Sequence, residues 1–226
     1  MRVEKHEKFD GIYWVELEEG KRNLATRNIS PGNKVYDERL VESQGNEYRI
    51  WNPYRSKLAA AVLRGLKNMP IKPKDKVLYL GAASGTTASH ISDIVGSEGM
   101  VYCIEISSRP LRDLLVTCEQ RQNMAPILAD AQNVEEYRAL VEQTDIIYQD
   151  VAHPEQTNIA LKNIESFLRK GGDALIALKA RSIDVTKDPI EIFRAEMEKL
   201  EKKVEIVDSQ LLDPYEEDHA MILIKN

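Results

Sequence analysis

The chain has 226 residues, of which 42% are hydrophobic, and it carries a formal net charge of −6. This length allows one substantial core with a small appendage, and the acidic balance argues weakly against nucleic acid as a partner. The apolar runs are far shorter than the roughly 20 residues of a membrane span, and the N-terminal sequence MRVEKHEK has no apolar signal region. We therefore expect a cytoplasmic protein that makes no contact with a membrane.

Residues 1–53 are predicted to form a small β domain with little core of its own. The segments GIYWVEL (11–17) and EYRIW (47–51) have the composition of strands, and Pro31-Gly32 and Asn52-Pro53 mark turns. The pattern changes after residue 53, so residues 54–226 are predicted to be a second domain.

In residues 54–226 short apolar strands alternate with helices, which predicts an α/β fold with a mostly parallel sheet covered on both faces. A first helix is predicted over 56–69, before Pro70 and Pro73. Strands are then predicted at 77–80, 101–106, 126–129, 146–149 and 174–178, and helices at 86–95, 110–121, 134–142, 155–168 and 190–202. The chain ends with VEIVDSQLLD and HAMILIK, two strands without a helix between them, so the last strand is predicted to be antiparallel.

Charge and cysteine usage add two expectations. The segment 49–76 has eight basic residues and one acidic residue, a net charge of +7 that leaves −13 for the rest of the chain. A basic stripe on an acidic body suits a polyanion on one face, and a solvated helix face explains the pattern equally well. Cys103 and Cys118 are expected to be free, buried thiols, and no metal site is expected.

The segment VLYLGAASGTTASHI (77–91) passes from a buried strand to a helix through a run of small residues. In open parallel sheets ligands bind beyond the carboxyl ends of the strands, and small residues let backbone N–H groups approach them. The loop from Gly81 to Thr86 is therefore a candidate binding loop. Glu105 and Asp130 end the next two strands, where carboxylates can accept hydrogen bonds from ribose hydroxyls or an adenine amine.

Two cofactors fit such a nucleoside site, NAD(P) and S-adenosyl-L-methionine. The loop lacks the G-x-G-x-x-G spacing that cradles a pyrophosphate, and the sequence contains no Tyr-x-x-x-Lys pair of the short-chain dehydrogenases. A sulfonium cofactor has no pyrophosphate to bind. The residues favour S-adenosyl-L-methionine, with a nucleotide-dependent dehydrogenase as an alternative.

Five segments together give the chain a close resemblance, over essentially its whole length, to the archaeal members of the fibrillarin family: NPYRSKLAAAV, YLGAASGTTASHISDIVG, YQDVAHPEQ, ALKARSID and DHAMILIK. The glycine-arginine-rich tail of eukaryotic fibrillarins is absent. The resemblance implies a Rossmann-like class I methyltransferase fold with a small N-terminal β domain. It also implies 2′-O-methylation of ribose in rRNA and tRNA within box C/D ribonucleoprotein particles.

The resemblance also implies partners, which the sequence requires on independent grounds. The chain contains no base-reading RNA module such as an RNP motif, so the choice of nucleotide must come from outside. The family implies a box C/D guide RNA that pairs with the target, a Nop-domain scaffold protein and a kink-turn-binding protein. A methyltransferase fold that serves only as a scaffold is the alternative from another class.

Site residues follow from the same resemblance. The tetrad of ribose methyltransferases, Lys-Asp-Lys followed by an acid or histidine, matches Lys57, Asp150, Lys179 and His219. Cofactor contacts are implied at the loop and strand ends: Gly81, Ala82, Ala83, Gly85, Thr86, Thr87, Glu105, Ile106, Asp130, Ala131, Asp150, Val151, Ala152 and His153. At His153 we expect glutamine in many relatives.

The resemblance implies that Lys179 acts on the ribose hydroxyl. Its position at the end of the apolar strand ALIALK also disfavours a purely structural role. A hydroxyl is a poor nucleophile until it loses its proton. A cationic neighbour such as Lys57 favours the neutral amine, whereas Asp150 favours the ammonium form. Two roles therefore stay open for Lys179: a general base, or a fixed cation that stabilises the developing alkoxide.

Overall fold

The structure is a computed structural model that describes residues 1–18 and 20–226. At the N-terminus five antiparallel strands form a small sheet in the order β1-β2-β3-β5-β4: β1 (Arg2–Lys5), β2 (Ile12–Glu18), β3 (Lys21–Arg27), β4 (Leu40–Ser43) and β5 (Asn46–Ile50). The two predicted strands correspond to β2 and β5. The other three escaped prediction because charged residues on their exposed faces interrupt the apolar alternation.

The N-terminal sheet has few core residues of its own, as predicted. Val15, Ala25, Val41 and Tyr48 pack together on one face. Other buried residues of the sheet, such as Ile12 and Leu24, pack in the same hydrophobic cluster as helical residues that follow it in the chain. The small sheet is therefore stabilised largely by what it packs against.

The second sheet has seven strands in the order β11-β12-β10-β9-β6-β7-β8: β6 (Lys76–Leu80), β7 (Met100–Glu105), β8 (Met124–Leu128), β9 (Thr144–Gln149), β10 (Leu168–Lys179), β11 (Glu205–Leu211) and β12 (His219–Lys225). Strands β6 to β10 are parallel. Strand β12 is antiparallel to both β10 and β11, which confirms the prediction for the last strand.

Helices cover both faces of this sheet: α1 (Lys57–Leu63), α2 (Thr86–Val95), α3 (Ser108–Glu119), α4 (Gln156–Phe167) and α5 (Pro189–Glu201). Successive strand residues point to opposite faces, so Val77 and Tyr79 share a cluster with α1 and α2, whereas Leu78 and Leu80 share one with α4 and α5. The predicted α/β arrangement, with a parallel sheet between two helical layers, is confirmed. None of the helices in the described part of the chain is long and apolar enough to cross a membrane.

One predicted helix is wrong, and another is shorter than predicted. The segment 134–142 contains only a single 3₁₀ turn at Val134–Glu136. Tyr137 leaves the helical path because its buried hydroxyl donates to Asn163 Oδ1 (2.5 Å) and its ring stacks on Phe167. Helix α1 ends at Leu63, because Gly65 adopts a φ of +95° that no right-handed helix contains.

The basic segment 49–76 does not form one stripe. Arg49 is completely buried against two carboxylates, while Lys67, Lys74 and Lys76 are paired with Asp208, Glu98 and Glu142. The segment therefore does not present one continuous basic face. Cys103 and Cys118 are free thiols, as expected, but only Cys103 is fully buried.

A buried ionic network joins the small sheet to the second domain. Arg49 of β5 donates to Glu38 Oε1 and to Asp93 Oδ2, both at 2.9 Å, and Arg121 donates to Asp93 Oδ1 at 2.6 Å. The four side chains are no more than 1% exposed. We call Arg49, Glu38, Asp93 and Arg121 the seam network.

His90 of α2 extends this seam as a neutral imidazole. Thr26 Oγ1 donates to Asp93, so it accepts from His90 Nδ1 (2.7 Å), and Tyr36 OH donates to His90 Nε2 (2.7 Å). The ring also stacks on Trp51. Burial, reinforced by the charges of Arg49 and Arg121, holds the pKa of His90 well below its usual value.

Candidate active site

The carboxyl ends of β6, β7, β8 and β9 meet at a cavity of about 320 Å³. Ten of the fourteen predicted cofactor residues line it, together with Lys179: Gly81, Ala83, Glu105, Ile106, Asp130, Ala131, Asp150, Val151, Ala152 and His153. Of the residues that the structure describes, the other four predicted contacts, Ala82, Gly85, Thr86 and Thr87, are outside the cavity lining. Thr87 instead donates to Ser56 Oγ at 3.0 Å, at the start of α1.

Glycine is required at position 81, where the loop passes closest to the neighbouring strand. Gly81 has a φ of +80°, and a Cβ atom there would lie 2.8 Å from the carbonyl oxygen of Asp150. The amides of Gly81 and Ala82 both donate to Ile104 O, at 2.9 and 3.0 Å. The loop is thereby fixed against β7 and β9, where its backbone faces the cavity.

Glu105 also has a structural role that the sequence did not predict. Its carboxylate accepts backbone hydrogen bonds from Ala83 and Ser107, both at 2.8 Å, and the residue is only 7% exposed. Each carboxylate oxygen has a further lone pair for a ligand hydroxyl. Glu105 thus holds the loop in place and lines the cavity at once.

Asp130 is held by its neighbour Gln132, which also lines the cavity. The amide of Gln132 donates to Asp130 Oδ1 at 2.9 Å, and its side chain donates to Oδ2 at 3.3 Å. These contacts orient the Asp130 carboxylate at the end of β8. Gln132 was not predicted, because a glutamine four residues after a strand carries no distinct sequence signal.

Lys57, Asp150 and Lys179 come together at the cavity, and we call them the site cluster. Lys57 Nζ lies 3.3 Å and Lys179 Nζ 2.9 Å from Asp150 Oδ1. Lys179 Nζ donates to the backbone oxygen of Asp150 (3.0 Å), and Lys57 Nζ donates to Oδ2 (3.4 Å). Oδ1 lies between two cations, yet it accepts no aligned hydrogen bond from the described residues. The three side chains are 14–16% exposed, so they are reachable from solvent.

His219 lies beside this cluster through the pairing of two strands. It is the direct partner of Lys179 in the antiparallel ladder between β10 and β12. Its Nδ1 contacts Glu217 O at 2.6 Å, which fixes the protonated nitrogen on that side. Burial lowers the pKa of His219, and the cations Lys57 and Lys179 lower it further. The ring is therefore neutral at neutral pH.

Two residues that contact the site cluster were not predicted. Glu216 Oε1 lies 3.7 Å from Lys57 Nζ, so a second carboxylate faces the cluster. The buried side chain of Gln156 accepts from the amide of Lys179 (2.8 Å) and donates to its carbonyl oxygen (3.0 Å). Gln156 thus fixes the backbone that carries Lys179. A glutamine in the first turn of a helix gives no hint of such a contact.

This arrangement can orient a hydroxyl and act on its proton. Two lysine amines and the Asp150 carboxylate between them converge at the edge of a cavity lined by acids and apolar side chains. Such a set can bind an oxygen nucleophile, stabilise its negative charge and remove its proton. Within residues 1–18 and 20–226 no group of three or more His, Cys, Asp and Glu side chains is arranged to hold a metal ion.

Comparison with known proteins gives a consistent result. The fibrillarin family model matches residues 3–226. A protein of Thermococcus sibiricus named fibrillarin-like rRNA/tRNA 2′-O-methyltransferase is 54% identical over 225 residues, which cover 100% of this chain and 99% of that relative.

Two solved structures extend the likeness to three dimensions. Aeropyrum pernix fibrillarin, crystallised with natively bound S-adenosyl-L-methionine, is 51% identical with a TM-score of 0.93, covering 99% of this chain and 98% of the other. A fibrillarin from a complex with Nop5p is 38% identical with a TM-score of 0.87, covering 96% and 99% of the two chains.

Proposed function

The chain belongs to the fibrillarin family, and we propose that it transfers a methyl group from S-adenosyl-L-methionine to ribose 2′-hydroxyls of rRNA and tRNA. The observation that carries the proposal is the site cluster, two lysines around the Asp150 carboxylate at the edge of a nucleoside-sized cavity. The full-length likeness to a named rRNA/tRNA 2′-O-methyltransferase supports the same activity.

The cavity fits this cofactor by the chemistry of its lining. Glu105 offers carboxylate acceptors to ribose hydroxyls, Asp130 offers them to an exocyclic amine, and Ile106 and Ala131 supply apolar surface for a flat base. Acidic lining also suits a cofactor that carries positive charge on sulfur. S-adenosyl-L-methionine supplies an activated methyl group, so the chain itself has to provide only position and proton transfer.

The site cluster provides these two functions. Asp150 holds Lys179 through its backbone oxygen and its carboxylate, and Gln156 fixes the Lys179 backbone from the other side. Lys57 brings a second positive charge to the same carboxylate. Lys57 and Lys179 orient the ribose oxygen. Its proton passes to the neutral amine of Lys179 where that residue is the base, or to water where Lys179 is a fixed cation that stabilises the alkoxide. His219 is a neutral neighbour of Lys179 that can exchange a hydrogen bond with the same substrate.

The function requires partners. No base-reading module is present in the sequence, so specificity comes from pairing between a guide RNA and the target. A Nop-domain scaffold protein is supported by the likeness to a fibrillarin solved with Nop5p. A box C/D guide RNA and a kink-turn-binding protein complete the proposed particle.

The test is methyl transfer by the assembled particle. The chain is combined with a guide RNA, the scaffold protein and the kink-turn-binding protein, and with S-adenosyl-L-methionine carrying a labelled methyl group. We expect label at one guide-specified nucleotide of the target, and none when that nucleotide is 2′-deoxy. Label on the deoxy target would place the methyl group on a base, and absence of any transfer would leave the chain as a scaffold. A reaction without guide that still labels one defined nucleotide would refute the proposed source of specificity.

A further inference from the structure

A second cavity, of about 400 Å³, adjoins the Lys57 side of the site cluster. It lies between β3, the loop 36–39 and the segment that leads into α1. Tyr54 and Arg55 line it just before Ser56, the residue that caps α1, and Tyr215 lines it just before Glu216, which approaches Lys57. The groove is therefore linked to the site cluster by short stretches of chain, and the chemistry proposed above uses none of the groove residues.

The wall nearest to Lys57 presents an aromatic ring to solvent. Tyr54 is 63% exposed, and its ring meets that of Tyr215 edge-on with the ring centres 5.2 Å apart. Such exposure contributes little to the core, but it leaves a phenol hydroxyl and a flat ring available to a ligand. Next to it the Arg55 guanidinium lies over the ring of Tyr36, 5.3 Å from its centre, so its position is already restricted.

The rim of the groove is basic. Its exposed cations are Lys21, Arg22, Arg39 and Arg55, of which Arg22 is paired with Glu7 (3.1 Å), a residue outside the groove lining. Of its two acids, Glu38 is buried and neutralised by Arg49, whereas Asp37 is fully exposed and only 3.7 Å from Arg55. An exposed pair of that kind is worth little, so a polyanion displaces it at small cost. On a chain of net charge −6, this local excess of positive charge is complementary to RNA phosphates.

We propose that this groove binds the sugar-phosphate backbone of the target RNA strand beside the methylated nucleotide, an inference that rests on the proposed function. In a guide–target duplex the bases are paired, so phosphates and 2′-hydroxyls are the groups left for a protein to contact. Arginine binds phosphate through two parallel hydrogen bonds, and a tyrosine hydroxyl can donate to either group. Because Tyr54 and Arg55 are three and two residues before Lys57 in the chain, the groove is placed to receive the phosphates next to a nucleotide whose hydroxyl is at the site cluster.

The test uses the assembled particle and two single variants, Arg55→Gln and Tyr54→Ala. Arg55→Gln is expected to raise the target KM about tenfold with kcat changed less than twofold, because it removes one charged contact to phosphate. The dependence of target binding on salt should weaken by about one counterion. Tyr54→Ala should raise the target KM by a smaller factor, and Tyr54→Phe should separate the hydroxyl from the ring. Lys203→Gln, which removes an exposed lysine beyond α5, is the control and should leave the target KM unchanged.

Three measurements make the outcome decisive. Unchanged affinity for S-adenosyl-L-methionine shows that each variant is folded. Wild-type target KM and salt dependence in both Arg55→Gln and Tyr54→Ala would overturn the inference, and so would loss of scaffold-protein binding in a pull-down, which would make the groove a protein interface. If the wild-type particle itself methylates nothing, the proposed function fails instead, so the two failures are distinguishable.

Discussion

The seam network and the site cluster are both built from basic side chains placed around a carboxylate, yet their surroundings differ. In the seam network two arginines enclose Asp93, all side chains are buried, and both oxygens of the carboxylate accept aligned hydrogen bonds. In the site cluster two lysines approach Asp150, the side chains are partly exposed, and one oxygen is left without an aligned bond.

This contrast separates the charges that stabilise the fold from those that are available for chemistry. Arginine is planar and stays charged, so it suits a closed network that must be satisfied everywhere. Lysine is a mobile point charge that can change its protonation state, and both lysines of the site cluster are partly exposed. We therefore expect variants in the seam network to lower stability, and variants in the site cluster to lower activity.

The largest expected effect is on turnover, from Lys179→Ala. Loss of a general base or of an alkoxide-stabilising cation should lower kcat about 10²–10⁴-fold while the protein stays folded and binds S-adenosyl-L-methionine. The measurement is methyl transfer by the assembled particle at saturating cofactor. Lys225→Ala is a matched control, because that lysine pairs with Asp173 on the same sheet, far from the cavity. Near-wild-type turnover by Lys179→Ala would remove this residue from the mechanism.

Lys179→Arg distinguishes the two roles that remain open for this residue. Arginine keeps the positive charge but does not give up its proton at working pH. If Lys179 is the base, the arginine variant should be as inactive as the alanine variant. If it is a fixed cation, the arginine variant should retain a substantial part of wild-type kcat. Both variants are compared in the same particle, with cofactor affinity measured separately by calorimetry.

The next effect is on stability, from Arg49→Met. Removing this guanidinium leaves Glu38 and Asp93 buried with fewer partners, which should lower the free energy of unfolding by about 3–5 kcal/mol. Denaturant unfolding monitored by circular dichroism measures the change. Arg169→Met breaks an exposed pair with Asp145 and should cost about 1 kcal/mol or less. Equal effects of the two variants would mean that burial does not determine how much the seam network contributes to the free energy of unfolding.

The sequence predicted the fold well where the pattern of apolar residues is local. Strands β6, β7 and β9 and helix α2 are found within one or two residues of their predicted bounds, because each has a clear apolar period. The helix at 134–142 failed because two contacts distant in sequence, from Tyr137 to Asn163 and Phe167, outweigh its helical pattern. The seam network could not be predicted either, because its four members come from four separate segments of the chain.

For the site, residue types at strand ends predicted the loop from Gly81, Glu105 and Asp130. The resemblance added the other expected cofactor contacts and the site cluster. Neither could reveal Gln156 or Glu216, whose roles depend on how α4 and the turn before β12 pack against Lys179 and Lys57. Neither could show that Arg49 lies outside the basic surface, because burial of a cation is decided by its tertiary partners.

A smaller effect is expected on cofactor affinity from Glu105 variants. Glu105→Ala should weaken binding of S-adenosyl-L-methionine by about 1–3 kcal/mol, because it removes acceptors for ribose hydroxyls and frees the Ala83 and Ser107 amides. Glu105→Gln keeps one acceptor oxygen and should lose less. Glu98→Ala, an exposed carboxylate in the turn before β7, is the control. Calorimetry that shows wild-type affinity in Glu105→Ala would exclude this residue from the cofactor site.

The smallest expected effect is a difference in pH dependence between the two histidines that mark these regions. His90 is buried in the seam, and its pKa is held well below the usual value. As pH falls, His90 is therefore protonated at a lower pH in the folded state than in the unfolded state. Its stabilising contribution is therefore complete above the unfolded pKa of about 6.5 and is lost as pH falls toward the folded pKa.

His90→Gln should be less stable than wild type at pH 7.5 by about 1–3 kcal/mol, since it disturbs the bonds to Thr26 and Tyr36. Below pH 6.5 the gap should narrow by up to about 1.4 kcal/mol per pH unit, because only the wild type loses this contribution. His219 is only half buried, so the difference in stability between wild type and His219→Gln should change less with pH. Denaturant unfolding at several pH values between 5 and 8 measures the stability of both variants. A stability difference between wild type and His90→Gln that stays constant over this range would contradict the assignment of His90 as a buried, neutral imidazole.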